Sequence, residues 1–163
     1  MNDARSQKGF ALVEIIVSMA VSAMLLVSFI GLAIQTKKTS RTYTSELQAR
    51  MYLAEMIEVA KDLEESDWIE IVSGTCDSPA LCHPEISWGA WILVANTEIL
   101  DNGTFTRSLT IKEVRRDTLT FPNVIVEIGG VVDPDTKKVA ATVSWNDGYQ
   151  DRTLDLETYV YKP

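Results

Sequence analysis

Several kinds of chemistry are missing from this chain before any motif is sought. It has a single histidine, His83, lying against Pro84 in a breaker-rich stretch. No imidazole-activated nucleophile can be assembled around it. There is no glycine-rich loop of the kind that cradles phosphates. The acidic pairs Asp133/Asp135 and Asp147/Asp151 sit in turn-forming sequence without the ligand spacing of an EF-hand, so they read as turn formers. No cofactor and no enzymatic activity are expected. Positive charge is also scarce: 15 Lys and Arg stand against 23 Asp and Glu, a net charge of −8. Phosphate contacts need clustered cations, so nucleic acid is not expected as a primary partner. Cysteine is limited to Cys76 and Cys82. With His83 they would supply three ligands where a structural zinc takes four, which argues against a metal site.

Long apolar runs are equally scarce, with one exception. From Phe10 to Ile34 the chain has no proline and one charge, Glu14. At ~1.5 Å rise per residue a helix over this run extends roughly 37 Å, enough to cross a hydrocarbon core of ~30 Å. A cleaved secretory signal has an apolar core of only ~7–15 residues, so this run is too long for one. The flanking charges leave orientation open, because Arg5 and Lys8 precede the run while Lys37, Lys38 and Arg41 follow it.

The front of the run is more specific than its hydropathy. Lys8-Gly9-Phe10-Ala11-Leu12-Val13-Glu14 joins a short basic leader to a glycine, a phenylalanine and, four residues on, a carboxylate. This resembles the class III signal of type IV prepilins and pseudopilins. The resemblance implies that a membrane prepilin peptidase cuts between Gly9 and Phe10 and that Phe10 becomes an N-methylated first residue. It also gives Glu14 a role in helix assembly. A carboxylate in a membrane span is costly, ~2.5–3.5 kcal/mol near the centre and less near an interface. By itself Glu14 could snorkel to the headgroups. In the resembled family it pairs with the amino terminus of a neighbouring subunit, which appears only after leader cleavage.

The same resemblance places the leader in the cytosol and the remainder outside, which sets the expected organisation. Residues 1–9 are a leader peptide, 10–34 a transmembrane and assembly helix, and 35–163 an exported globular domain. An exported location makes a Cys76–Cys82 disulfide the default. Expected partners are other pilin or pseudopilin subunits, the prepilin peptidase, an inner-membrane assembly platform, and membrane lipid before assembly. The expected location is the cytoplasmic membrane as a single-pass protein, then a fibre. A different function class also fits the apolar run: a membrane-tethered receptor or adhesin that never enters a fibre. It would keep its leader and tolerate changes at Glu14.

Beyond the run, Gln35–Tyr43 is polar and rich in threonine, which weakens a helix without forbidding it. Ala49, Leu53, Met56, Ile57, Ala60 and Leu63 then recur at steps of three and four, forming one apolar face. One helix is predicted from Phe10 to about Glu65. Gly31 stands where many major pilins carry a proline, and a glycine disturbs a helix far less. Ser66–Ser87 reads as a connecting loop, with Ile69 and Ile71 able to dock on a sheet. Four strands are predicted: Trp88 to about Leu100, Phe105–Val114, Val139–Trp145 and Arg152–Tyr161. A further edge strand is predicted at Val124, Val126 and Ile128. The turns Asp101-Asn102-Gly103, Asp133-Pro134-Asp135 and Asn146-Asp147-Gly148 punctuate the strands. Phe105, Leu109, Ile111, Val139, Ala141, Val143, Trp145, Leu154, Leu156 and Val160 should point inward.

The expected fold class is therefore α+β: a long N-terminal helix, apolar then amphipathic, on a four-stranded antiparallel sheet. The segment from Asp133 to Val139 and on through Val143-Ser144-Trp145 is similar to the closing hairpin of minor pilins and type II secretion pseudopilins. One departure is that the cysteines sit between helix and sheet, whereas many pilins close a C-terminal loop with theirs.

Overall fold

The computed structural model describes the backbone of residues 3–117 and 124–163, and the side chains from Leu12 onward within those ranges. Contacts separate Met1–Thr44 from Ser45–Pro163, and the sheet belongs wholly to the second unit. Helix α1 runs Asp3–Ser66, close to its predicted end. A short α2, Trp68–Val72, follows where a loop was expected, and it buries Ile71 while Ile69 stays exposed.

Within the second unit, the predicted stripe on α1 is the helix's contribution to the core. Ala49, Leu53, Met56, Ile57, Ala60 and Leu63 are buried, joined by Val59. They meet Phe105, Leu109, Ile111, Val139, Ala141, Val143, Trp145 and Val160 from the sheet. Burying each large apolar side chain stabilises by about 1.5–3 kcal/mol, which is what holds helix to sheet.

The fold class is as expected, but among the described residues the sheet has seven strands rather than four, and each strand pair is antiparallel. They are β1 Cys82–Ser87, β2 Ala90–Ala95, β3 Glu98–Leu100, β4 Phe105–Asp117, β5 Val124–Val126, β6 Val131–Asn146 and β7 Asp151–Tyr161. The order is β2-β1-β4-β6-β7, with β3 and β5 each pairing with β4. The single strand expected from Trp88 to Leu100 divides because Asn96 adopts φ 87°. Its first part pairs with β1 from Cys82↔Ala95 to Ser87↔Ala90, so the stretch expected as loop contributes a strand of its own. The hairpin turn between them is Trp88-Gly89, with φ 53° and 83°.

The long β4–β6 pairing is continuous from Phe105↔Trp145 to Glu113↔Lys137. The register then jumps, and Val114 faces Asp133. Asp133-Pro134-Asp135 is thus a bulge inside β6 and not a turn between strands. This is why β6 begins at Val131, ahead of its predicted start. Extra residues on one strand bend it and sharpen its twist. The bulge is held by side chains: Arg116 Nε donates to Asp133 Oδ2 at 2.5 Å, and Thr136 Oγ1 donates to the same oxygen at 2.7 Å. The turn after β6 is where it was predicted. Asp147 Oδ1 accepts from the Tyr149 and Gln150 amides at 2.9 and 3.0 Å.

One inward assignment needs correction. Leu156 pairs with Ala141 on the correct face but is 44% exposed. Strand β7 is outermost, with a neighbour on one side only, and alternation alone does not guarantee cover at an edge. The last residues of that edge are tied down: Tyr161 N donates to Glu64 Oε1 of α1 at 2.8 Å. At the opposite edge, Leu93 N of β2 donates to Glu70 Oε1 of α2, also at 2.8 Å.

Candidate functional site

The candidate site is the first half of α1. Over Leu12–Ile34 every described apolar side chain is exposed, and fifteen of them are large. At about 1.5–3 kcal/mol for each side chain returned to an apolar phase, the sum is tens of kcal/mol. No free helix in water tolerates that exposure. This surface therefore requires lipid or other helices. Length and apolarity suffice for a membrane span, and none of this window is buried by the rest of the chain.

Polar groups inside a span must satisfy themselves. Ser18 Oγ donates to the Ile15 carbonyl and Ser28 Oγ to the Met24 carbonyl, both at 2.9 Å. Just beyond, Thr36 Oγ1 bonds the Leu32 carbonyl in the same way. These hydroxyls close on their own helix and leave Glu14 as the one ionisable group in the apolar stretch. Glu14 is exposed, in helical backbone, and makes no hydrogen bond or ion pair with any described residue. Gly9 and Phe10, the expected cleavage pair, also lie in helical backbone. Nothing beyond their backbone is described, so nothing there bears on cleavage or methylation. Gly31 is helical with open space around it, and a Cβ would meet nothing within 4 Å.

In the second unit, polar contacts that periodicity does not reveal fasten α1 to the sheet. Arg107 is on the helix-facing side of β4, between Phe105 and Leu109, and is only 5% exposed. Its Nε donates to Glu98 Oε2 of β3 at 2.5 Å. Its Nη1 lies 3.2 Å from Glu55 Oε2 of α1, outside hydrogen-bonding geometry. The guanidinium also stands 5.9 Å from the Tyr52 ring centre. Tyr52 in turn donates its hydroxyl to Asp101 Oδ2 at 2.6 Å, and Gln48 Nε2 donates to the same oxygen at 2.5 Å. The hydrogen bond from Tyr52 to Asp101, and burial after it, raise the Tyr52 pKa. Tyr52 packs edge-on against Phe105 with ring centres 5.5 Å apart. Three successive turns of α1 are thus clasped to the turn and strands they face. Strand alternation puts position 107 on the same face of β4 as Phe105 and Leu109, so a buried cation stands inside an apolar row.

The disulfide is present: Cys76 and Cys82 are bonded, buried, and 5.3 Å apart at Cα. Around it, Ile111 N donates to the Cys76 carbonyl at 2.8 Å and Ser78 N to the Ile111 carbonyl at 2.9 Å. The bond thus fixes the chain between helix and sheet to the edge of β4. It is a structural staple.

The acidic turns are engaged internally. The Arg116 and Thr136 side chains hold the Asp133 pKa below the ordinary carboxylate value. The amides of Gln150 and Tyr149, with Arg152 adding less, do the same for Asp147. Their oxygens shape a bulge and a turn, as turn-forming carboxylates do. His83 Nδ1 lies 3.0 Å from the Asn96 carbonyl, in a role that joins β1 to the β2–β3 connection. Among the described residues, no three His, Cys, Asp or Glu side chains are grouped to hold a metal ion.

Comparison with known proteins bears on the front of the chain alone. Residues 4–30 match the family model of the prokaryotic N-terminal methylation motif. That span contains Gly9, Phe10 and Glu14 and supports a type IV pilin-like family. No curated protein and no solved structure matches the chain. Motif and apolar helix together fit a membrane-anchored, exported pilin-like precursor.

Proposed function

We propose that this chain is the precursor of a structural subunit of a type IV pilus or a related secretion pseudopilus. A prepilin peptidase removes residues 1–9, Phe10 becomes the N-methylated amino terminus, and residues 10–34 anchor the mature chain in the cytoplasmic membrane. The domain from residue 35 onward is exported. Assembly moves the apolar helix from lipid into a bundle with those of neighbouring subunits. The observation that carries this reading is the methylation motif at the head of a helix that exposes fifteen large apolar side chains over Leu12–Ile34.

Glu14 supplies the register in this reading. A carboxylate moved from lipid into a helix bundle needs a partner, since an unpaired buried charge costs several kcal/mol. The new amino terminus of a neighbour offers the complementary charge. Pairing favours one axial offset between helices and penalises the rest. The experiment follows Glu14→Leu through the cell. The variant should be cleaved and should sit in the membrane at least as stably as wild type, because a charge has left the span. Its share of sheared fibre relative to membrane should fall at least about tenfold, the equivalent of about 1.4 kcal/mol of lost pairing. Equal incorporation of variant and wild type refutes the pairing. If wild type itself never reaches the sheared fraction, the tethered receptor becomes the better account.

A further inference from the structure

The two ends of the sheet are closed in different ways. Strand β7 carries Asp151, Asp155 and Glu157 against one cation, Arg152. A second β7 laid beside it would set like charges near one another, which is destabilising. Strand β2, at the other end, has no such defence. Its residues, Ala90-Trp91-Ile92-Leu93-Val94-Ala95, include no charge, no proline and no glycine. A short segment of high β-propensity without charge or proline is the kind that adds readily to its own copy. At a sheet edge it offers that copy a row of unpaired backbone groups.

What covers this edge is α2. The helix packs against β2, with Ile71 buried and Trp68 set against the core. Glu70 lies between those two in sequence, and its Oε1 accepts the Leu93 amide at 2.8 Å. With the Leu93 amide directed out of the sheet, ladder alternation places those of Trp91 and Ala95 on the same edge. Among the described residues neither finds an acceptor there. Downstream, the Cys76–Cys82 bond ties the chain leaving α2 to the first residue of β1. The cover is thus joined covalently to the strand pair it covers.

We infer that α2 is a latch on the β2 edge, and that the Glu70 bond to Leu93 keeps a second copy from adding its β2 antiparallel to this one. The blocked pairing is isologous, with each strand offering the same uncharged residues to the other. The carboxylate occupies the amide that an incoming carbonyl would need. It also sets a charge on an edge that otherwise has none.

The test uses the full chain in excess detergent micelles, comparing wild type, Glu70→Ala, Glu70→Gln, and Glu70→Ala combined with Ile92→Lys. Association through the apolar half of α1 is common to all of them and drops out of the comparison. Cross-linking over a range of protein concentrations measures association. Amide exchange at Trp91 and Ala95 reports whether the edge is paired. Losing a bond to a charged acceptor should lower the concentration for half association at least about tenfold in Glu70→Ala. The Trp91 and Ala95 amides should then gain protection as concentration rises. Glu70→Gln keeps an acceptor oxygen and should lie closer to wild type than to Glu70→Ala. Ile92→Lys puts like charges into the pairing and should return the double variant to the wild-type value. Glu70→Ser, too short to reach Leu93, supplies a second opened edge should urea unfolding show that Glu70→Ala has lost its fold. Opened variants that associate no more than wild type overturn the inference. Glu70→Gln that associates as strongly as Glu70→Ala overturns the hydrogen-bonded latch. Association without protection at Trp91 and Ala95 places the contact elsewhere and refutes β2 pairing.

Discussion

Replacing Arg107 separates two explanations of why a buried cation sits on an otherwise apolar strand face. In Arg107→Ala, Glu55 and Glu98 lose a shared partner, Tyr52 loses the guanidinium beside its ring, and a void opens between Phe105 and Leu109. Breaking a fully buried pair costs about 3–5 kcal/mol. Here the carboxylates are 43% and 29% exposed at the side chain, and water takes up part of their charge. Allowing for that screening, the expected loss is about 2–3 kcal/mol. Arg107→Met fills the same space without charge and should stay within about 1 kcal/mol of wild type, because apolar replacements of buried pairs are often neutral or better. The assay is urea unfolding of the full chain in detergent micelles, followed by tryptophan emission. With a slope of about 2 kcal/mol per molar, Arg107→Ala should shift the midpoint down by roughly 1–1.5 M. A shift indistinguishable from zero means the clasp contributes nothing to holding α1. A Met variant as unstable as the Ala variant means the charge itself is required, which contradicts the packing argument.

Other outcomes follow from the same contacts. Cys82→Ser should lower stability by about 2–2.5 kcal/mol on the chain-entropy account, because the closed loop is short, and thiol labelling of denatured, unreduced wild type should find no free cysteine. Acid should loosen the β6 bulge and the β6–β7 turn. Asp133 and Asp147 have depressed folded pKa values, so their contribution is complete above the unfolded carboxylate pKa of about 4 and is lost as pH falls through the lower folded values. Amide exchange at Asp135, Tyr149 and Gln150, corrected for its intrinsic pH dependence, should accelerate below about pH 4, and unchanged protection at acid pH contradicts the assignment.

What could be read from residues alone followed the strength of the periodic signal. Ala49 through Leu63 repeat at helical spacing, and the core stripe of α1 coincides with them. Leu109 to Ile111 and Val139 to Trp145 alternate cleanly and are buried as alternation requires. The β1–β2 hairpin was hidden for a physical reason. Its turn carries Trp-Gly where Asn-Gly is the recognisable form, and Pro84 within β1 argues against a strand. The β6 bulge was hidden by Pro134 and two aspartates, a composition that suits a turn equally well. Arg107 lies on the inward face of β4 but is charged, and of its carboxylate partners Glu98 sits on the neighbouring β3 while Glu55, on α1, is distant in sequence. Gly9, Phe10 and Glu14 were legible because they form a local motif of contiguous sequence, which the methylation-motif family model also matches. The pairing partner proposed for Glu14 belongs to another chain.

The central claim is that this chain is a substrate of a prepilin peptidase, and mass spectrometry of the mature amino terminus tests it most directly. Expressed with an active peptidase, the protein should lose Met1–Gly9 and begin with N-methyl-Phe10, while Gly9→Val should stay full length because a branched side chain cannot enter a site shaped for bare backbone. A wild-type chain that keeps its leader in the presence of active peptidase contradicts the account.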